Sequence, residues 1–234
     1  MTKAKLVIFR HGETEYNKQN LMTGRADVPL TETGKAQARE AGGLIKDIKF
    51  DKVYSSTLSR AFNTAALALE ASATQVHLLN ADGTWQIEQR PEIIELDAGE
   101  FTGRNHKTDP EILAWQRAYA KPLPGGESEE QGVARVREFF EKEVLPRLER
   151  GENVLVVVHA GIVRMFDIVL GLDDAPAGGD VMKRRPIPNA APTVYTYENG
   201  VMTGAYFLEN PKKPVPANEN IPAQDVKKKQ GPKL

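Results

Sequence analysis

Two short apolar runs, Leu6 to Phe9 and Val154 to Val158, contain no polar position and are rich in β-branched residues. A strand with one wet face alternates apolar and polar, so uninterrupted runs predict strands covered on both faces, as in a parallel sheet. Lys52 to Ser55 is a third predicted strand. Elsewhere the apolar positions follow helical spacing. Thr31 is placed to cap a helix reaching about Ile48, and Leu58, Phe62, Ala65 and Leu69 mark one face of a second. Ser128 with Gln131 three residues on forms a capping-box pair, followed by Val133, Val136, Phe140, Val144 and Leu148. Pro146 inside that pattern predicts a kink or an early end, because it has no N–H to donate to the preceding turn. Ile162, Phe166 and Val169 predict a further helix directly after the second apolar run. Strand and helix alternate, so the expected fold class is α/β, a mostly parallel central sheet with helices on both faces in a three-layer α/β/α arrangement.

The last segment departs from this pattern. Residues 209–234 hold five prolines, six lysines and three acids, with almost nothing large and apolar. Such a segment cannot bury enough surface to offset its ordering entropy, so a flexible tail is expected after one domain spanning residues 1–208.

Composition narrows the chemistry. The 234 residues include no cysteine, which excludes disulfide frameworks, zinc ribbons, Fe–S clusters and every cysteine nucleophile. The net charge of −1 supplies no global field for nucleic acid or a membrane surface, so neither is an expected partner. No apolar run approaches the ~20 residues of a membrane span, and the four large apolar residues before Arg10 are too few for a signal-peptide core. The expected location is the cytoplasm. A homodimer stands open beside a monomer.

Anion specificity must therefore be local. Arg10-His11-Gly12 follows the first apolar run directly, His159-Ala160-Gly161 follows the second, and Arg60 lies five residues beyond the third strand. In parallel α/β sheets the carboxyl ends of strands at a switch in strand order form the ligand crevice, where these groups can converge. A lone histidine in such a loop is usually a satisfied structural residue, but two in equivalent places, each followed by glycine within two residues, point to a site. His77 and His106 have no such setting. Arginine forks suit a phosphate, and the glycines allow backbone N–H groups to approach the same oxygens. Histidine can serve as a nucleophile that forms a phosphoenzyme, with arginines and a second histidine stabilising charge on the phosphoryl oxygens. A leaving alkoxide also needs a proton, which calls for a carboxyl group kept protonated by burial or by neighbouring phosphate charge.

The segment Leu6 to Thr14, with its Arg10-His11-Gly12, resembles the signature of the histidine phosphatase superfamily, also called the phosphoglycerate mutase-like family. The resemblance continues in family order through Asn17, Met22 to Thr31, Ser55 to Ala61, Glu95 to Gly103, Pro124 to Ser128 and Val158 to Arg164, covering roughly residues 4–208. It implies that His11 is the phosphorylated nucleophile, with Arg10, Arg60, His159 and Asn17 around the phosphoryl group. It implies that Glu95 is the proton donor and that Thr23, Gly24, Ala160 and Gly161 meet the rest of a small phosphorylated substrate. No metal and no organic cofactor is implied. A mutase of the family would need 2,3-bisphosphoglycerate as a primer.

Within the family the choice lies between returning the phosphoryl group to substrate and releasing it to water. Glycolytic mutases carry an arginine directly after the acid glutamate and a tyrosine two residues later, where this chain has Leu96 and Ala98. They also have an arginine pair before the proline-rich turn, where this chain has Gln116-Arg117. The insertion after Thr102-Gly103 is short, as in phosphatases. Met22-Thr23-Gly24 and the stretch from Trp115 to Pro124 resemble the mutases instead, and Arg104, Lys107 and Lys183-Arg184-Arg185 are available to hold a second anion. The favoured expectation is hydrolysis of a phosphomonoester. The alternative is a 2,3-bisphosphoglycerate-dependent mutase, and a low-activity phospholigand-binding module is the weakest.

Overall fold

The computed structural model describes residues 1–117, 122–173 and 185–208. The chain runs through β1 (Lys3–Arg10), α1 (Glu15–Lys18), α2 (Glu32–Leu44), β2 (Lys52–Ser56), α3 (Ser59–Ala71) and β3 (Glu88–Arg90). It continues through α4 (Pro110–Arg117), α5 (Glu129–Phe139), α6 (Leu145–Glu149), β4 (Val154–Val158), α7 (Ala160–Val169), β5 (Thr193–Glu198) and β6 (Val201–Phe207). The six strands form one sheet in the order β3-β2-β4-β1-β5-β6. β1 and β4, β2 and β4, and β2 and β3 pair in parallel, while β1 with β5 and β5 with β6 pair antiparallel. The sheet is thus mostly parallel, as expected, with an antiparallel hairpin added at one edge. The expected tail at residues 209–234 lies outside the described residues.

The apolar runs behave as strands covered on both faces. All five residues of β4 are completely buried, and full burial of each such side chain stabilises the fold by roughly 1.5–3 kcal/mol. Alternation then divides the core. Leu6 and Ile8 of β1 face a cluster with Val136 and Phe139 of α5 and Ile162 and Phe166 of α7. Val7 and Phe9 face the opposite cluster, with Ala41 of α2 and Ala65, Ala68 and Leu69 of α3. Thus α2, which follows β1 and the short α1, lies on one face and α7, which follows β4, on the other. Adjacent parallel strands whose following helices diverge in this way open a crevice at their carboxyl ends.

Local signals explain most boundaries. Thr31 Oγ1 accepts the Gly34 N–H at 3.0 Å to start α2, and Ser128 and Gln131 make the reciprocal capping box of α5. α2 ends at Leu44 and not near Ile48. Gly42 and Gly43 sit in its last turn, where glycine lowers helix propensity. α3 has no cap from its own Leu58; Asp27, from a different loop, accepts the Ser59 N–H at 2.9 Å. Pro146 acts as expected on the long helical pattern, since α5 passes through five residues of π-helix, Phe140–Val144, before α6.

Candidate active site

Three strand ends deliver the polar residues. β1 ends in Arg10, β2 in Ser56 and β4 in Val158, and the His11 N–H donates to the Val158 carbonyl at 2.9 Å, tying the first loop to the end of β4. A cleft of about 610 Å³ opens over these ends. Arg10, His11, Asn17, Thr23, Gly24, Arg60, Glu95, Ala160 and Gly161, all marked out by the sequence, line it. His159 does not line the cleft; it packs behind His11, ring centroids 5.2 Å apart at 62°.

The geometry fixes the state of His11. Its Nδ1 donates to the Gly12 carbonyl at 2.6 Å, which leaves Nε2 with the lone pair. The Nε–H of Arg60 donates to that Nε2 at 3.2 Å. Arg60 is completely buried at the start of α3, held by the Gly24 carbonyl at 2.8 Å and the Ala26 carbonyl at 2.6 Å. Burial, reinforced by Arg10 and Arg60, pushes the His11 pKa well below the usual histidine value. His159, also completely buried, is pushed down by the same desolvation and by Arg60, His11 and Arg10. Both imidazoles are therefore neutral near pH 7. Burial brings the Arg10 guanidinium to about 10, against the opposing pull of Glu95, so it remains charged.

Glu95 sits where the first loop of α7 meets the cleft. Its Oε1 accepts the Leu96 N–H at 2.9 Å and its Oε2 the Gly161 N–H at 3.3 Å. A Cβ on Gly161 would stand 2.5 Å from Glu95 Oε1, so a larger residue there would displace the carboxylate. Behind it, Arg25 Nε donates to the Glu95 carbonyl at 3.2 Å, and Glu127 bridges Arg25 and Arg135. The N–H groups of the two motif glycines themselves are engaged within the protein. Gly12 N–H donates to Thr64 Oγ1 at 3.0 Å, and Gly161 N–H is directed at Glu95. The need for glycine at position 12 is a close backbone approach, since a Cβ there would collide with the carbonyl of Gly34.

Several residues were missed. Ser56 Oγ lies 2.7 Å from His159 Nε2, Asn189 Nδ2 donates to the His11 carbonyl at 3.0 Å, and Arg164 lines the cleft. His106, which has no strand-end setting in the sequence, lines it as well. Asn17 is shared between uses: its Oδ1 accepts the Thr14 N–H at 3.2 Å in the capping box of α1 and Asn189 Nδ2 at 3.3 Å. Of the cations available for a second anion, Arg104 is paired with Asp109 and Glu111, and Arg185 with the buried Asp167. Lys107 is exposed among the residues lining the cleft, while Lys183 and Arg184 lie outside the described residues. Among the described residues no group of histidine and carboxylate side chains is arranged to hold a metal ion.

Fold and cleft together define an α/β enzyme with a buried histidine and two arginines at a strand switch point. The chain belongs to the histidine phosphatase superfamily (branch 1), whose family profile matches residues 6–205. It is similar to the 2,3-bisphosphoglycerate-dependent phosphoglycerate mutase of Parvibaculum lavamentivorans, 37% identical over 214 residues that cover 87% of this chain and 96% of that protein. Among solved structures it is similar to a phosphoglycerate mutase from Bacillus anthracis, at 29% identity and a TM-score of 0.68, covering 86% of this chain and 91% of that one. It is also similar to a mycobacterial glucosyl-3-phosphoglycerate phosphatase, at 26% identity and a TM-score of 0.65, covering 82% and 92%. Among the described residues no helix is long and apolar enough to cross a membrane.

Proposed function

We propose that the protein hydrolyses a small phosphomonoester through a phosphohistidine on His11, without a metal or an organic cofactor. Nε2 of His11 attacks phosphorus, the N–P bond forms as the P–O bond to the leaving group breaks, and Glu95 gives its proton to the departing oxygen. Arg10 and Arg60 hold the phosphoryl oxygens, and neutral His159 backs the His11 ring. Water then attacks the phosphohistidine with Glu95 taking its proton, which restores both groups. The amino end of α7, at Ala160 and Gly161, adds favourable dipole charge beneath the anion.

The observation that carries hydrolysis over mutase chemistry is the cleft wall. Leu96, Ala98 and Gln116 line it, whereas glycolytic mutases carry two arginines and a tyrosine at these positions. A mutase must retain a second anionic group while the phosphoryl returns, and an apolar wall gives that group no partner. The identity to the Parvibaculum mutase favours the second reading, in which 2,3-bisphosphoglycerate primes His11. Phosphate release from a panel of phosphomonoesters, beside conversion of 3-phosphoglycerate to 2-phosphoglycerate with and without the bisphosphate, separates the two. Labelled substrate should leave acid-labile phosphate on His11, and His11→Ala should abolish turnover. Full activity in that variant would refute the mechanism.

A further inference from the structure

The cleft is much larger than a phosphoryl group, and one wall is built differently from the polar end. Met22, Leu96, Ala98, Leu113, Trp115 and Leu123 line it. Ala98 and Leu123 belong to a buried cluster with Phe101 and Ile112, against which Met22 and Trp115 pack. The wall is therefore backed by core and keeps its shape without a ligand. Gln116, three residues after Leu113 and so on the same face of α4, is only 9% exposed, and its Oε1 has no hydrogen-bond partner among the described residues. A buried amide oxygen left unpaired is costly, so it marks a place where a donor belongs.

We propose that this wall is the leaving-group subsite. The substrate is the phosphate ester of a neutral alcohol or phenol that lays an apolar, ring-sized body against Met22, Trp115 and Leu123 and offers a hydroxyl or N–H to Gln116 Oε1. The assignment rests on the hydrolytic reading of the same cleft. A second carboxylate or phosphate in this position would be stripped of water against leucine and tryptophan. The described cations of the cleft lining lie away from this wall or in solvent. Arg10 and Arg60 converge on His11, Arg164 is close enough to Arg10 to depress its pKa, and Lys107 is exposed and screened by solvent.

The test compares kcat/KM for benzyl phosphate, 4-(hydroxymethyl)benzyl phosphate, 4-carboxybenzyl phosphate and glycerol 3-phosphate on the full chain. Benzyl phosphate should exceed glycerol 3-phosphate by about tenfold or more, the hydroxymethyl ester should exceed both, and the carboxy ester should fall about tenfold below benzyl phosphate. Trp115→Ala should cost benzyl phosphate about tenfold, mainly in KM, and glycerol 3-phosphate less. Gln116→Leu, close in volume to the native residue, should remove the advantage of the hydroxymethyl group alone. If phosphate is released readily but glycerol 3-phosphate or the carboxy ester is preferred, the subsite assignment is overturned and hydrolysis stands. If no ester releases phosphate and 3-phosphoglycerate is isomerised only with the bisphosphate, the hydrolytic reading falls and the assignment falls with it. The substrate series needs no variant, so poor folding of Trp115→Ala leaves the outcome readable.

Discussion

Arg60 donates its Nε–H to Nε2 of His11 across 3.2 Å, and its two terminal nitrogens donate to the Gly24 and Ala26 carbonyls. One guanidinium thereby positions the proposed nucleophile and joins the loop before α2 to the start of α3. Three bonds from one rigid fork cannot be reproduced by an ammonium group. Arg60→Lys keeps the charge and should still lower kcat by about 10²–10³, the scale of losing one well-placed donor to a developing anion. Circular dichroism should show the fold retained. A loss within tenfold would mean that charge alone suffices.

The histidine pair makes two pH predictions of different kind. Folded His11 and His159 both titrate well below 6.5, whereas in the unfolded chain they titrate near that value. The unfolded state therefore binds more protons below pH 6.5. Stability is fully present above that pH and is lost as pH falls toward the folded values. Urea midpoints from pH 8 to 5 should show the decline, and His159→Gln should flatten it. Activity should behave otherwise: because His11 stays neutral in the folded protein, the acid limb of kcat/KM should lie below pH 6.5. An acid limb at or above 6.5 would show that desolvation does not control the nucleophile.

In the proposed mechanism Arg10 and Arg60 supply the charge stabilisation that a Lewis acid would otherwise give. Treatment with EDTA should leave kcat unchanged, and vanadate, as a mimic of the transferring phosphoryl group, should inhibit competitively. Restoration of a chelated sample by added magnesium or zinc would contradict this.

How much of the fold and site is legible in the sequence depends on where the information resides. β1, β2 and β4 with α2, α3 and α7 were legible because a strand buried on both faces leaves an uninterrupted apolar run and a helix leaves its own period. β5 and β6 were overlooked because residues such as Thr193, Thr196 and Thr203 interrupt the apolar pattern. Yet Asn199 and Gly200, both left-handed at φ 50° and 77°, form the two-residue turn such hairpins favour. β3 is three residues long and pairs only with β2, too little for any period. Motifs located His11, Arg60, Glu95 and the lining glycines. Ser56, Asn189 and His106 join the site through tertiary contacts alone, and no local spacing announces them.

Gly12 illustrates how a motif glycine can answer to packing more than to ligand. A Cβ at this position would meet the backbone of Gly34, and no rotamer change relieves a contact with a carbonyl. Gly12→Ala should destabilise the protein by about 1–3 kcal/mol, the usual cost of overpacking, read as a lower urea midpoint with an unchanged m-value. Because the displaced loop carries His11, kcat should fall as well. Wild-type stability in this variant would mean that the loop and α2 part without cost.

Glu95, held by the Leu96 and Gly161 N–H groups, is the one acid among the described residues that line the cleft, so the proposed mechanism gives it the leaving group's proton. The assignment predicts a dependence on leaving group. An alkoxide leaves poorly without protonation, whereas p-nitrophenolate barely needs it, and general acid help is worth typically 10²–10⁴-fold where it is needed. Glu95→Gln should therefore cut kcat/KM for benzyl phosphate by about 10² or more and for p-nitrophenyl phosphate far less. Gly161→Ala supplies an independent control, because its methyl group would press on Glu95 Oε1 without touching the carboxyl chemistry. It should reproduce the same leaving-group bias in weaker form. Equal losses on both esters in Glu95→Gln would make Glu95 a positioning residue. A bias in Glu95→Gln without one in Gly161→Ala would mean that the carboxylate tolerates displacement and still reaches the leaving oxygen.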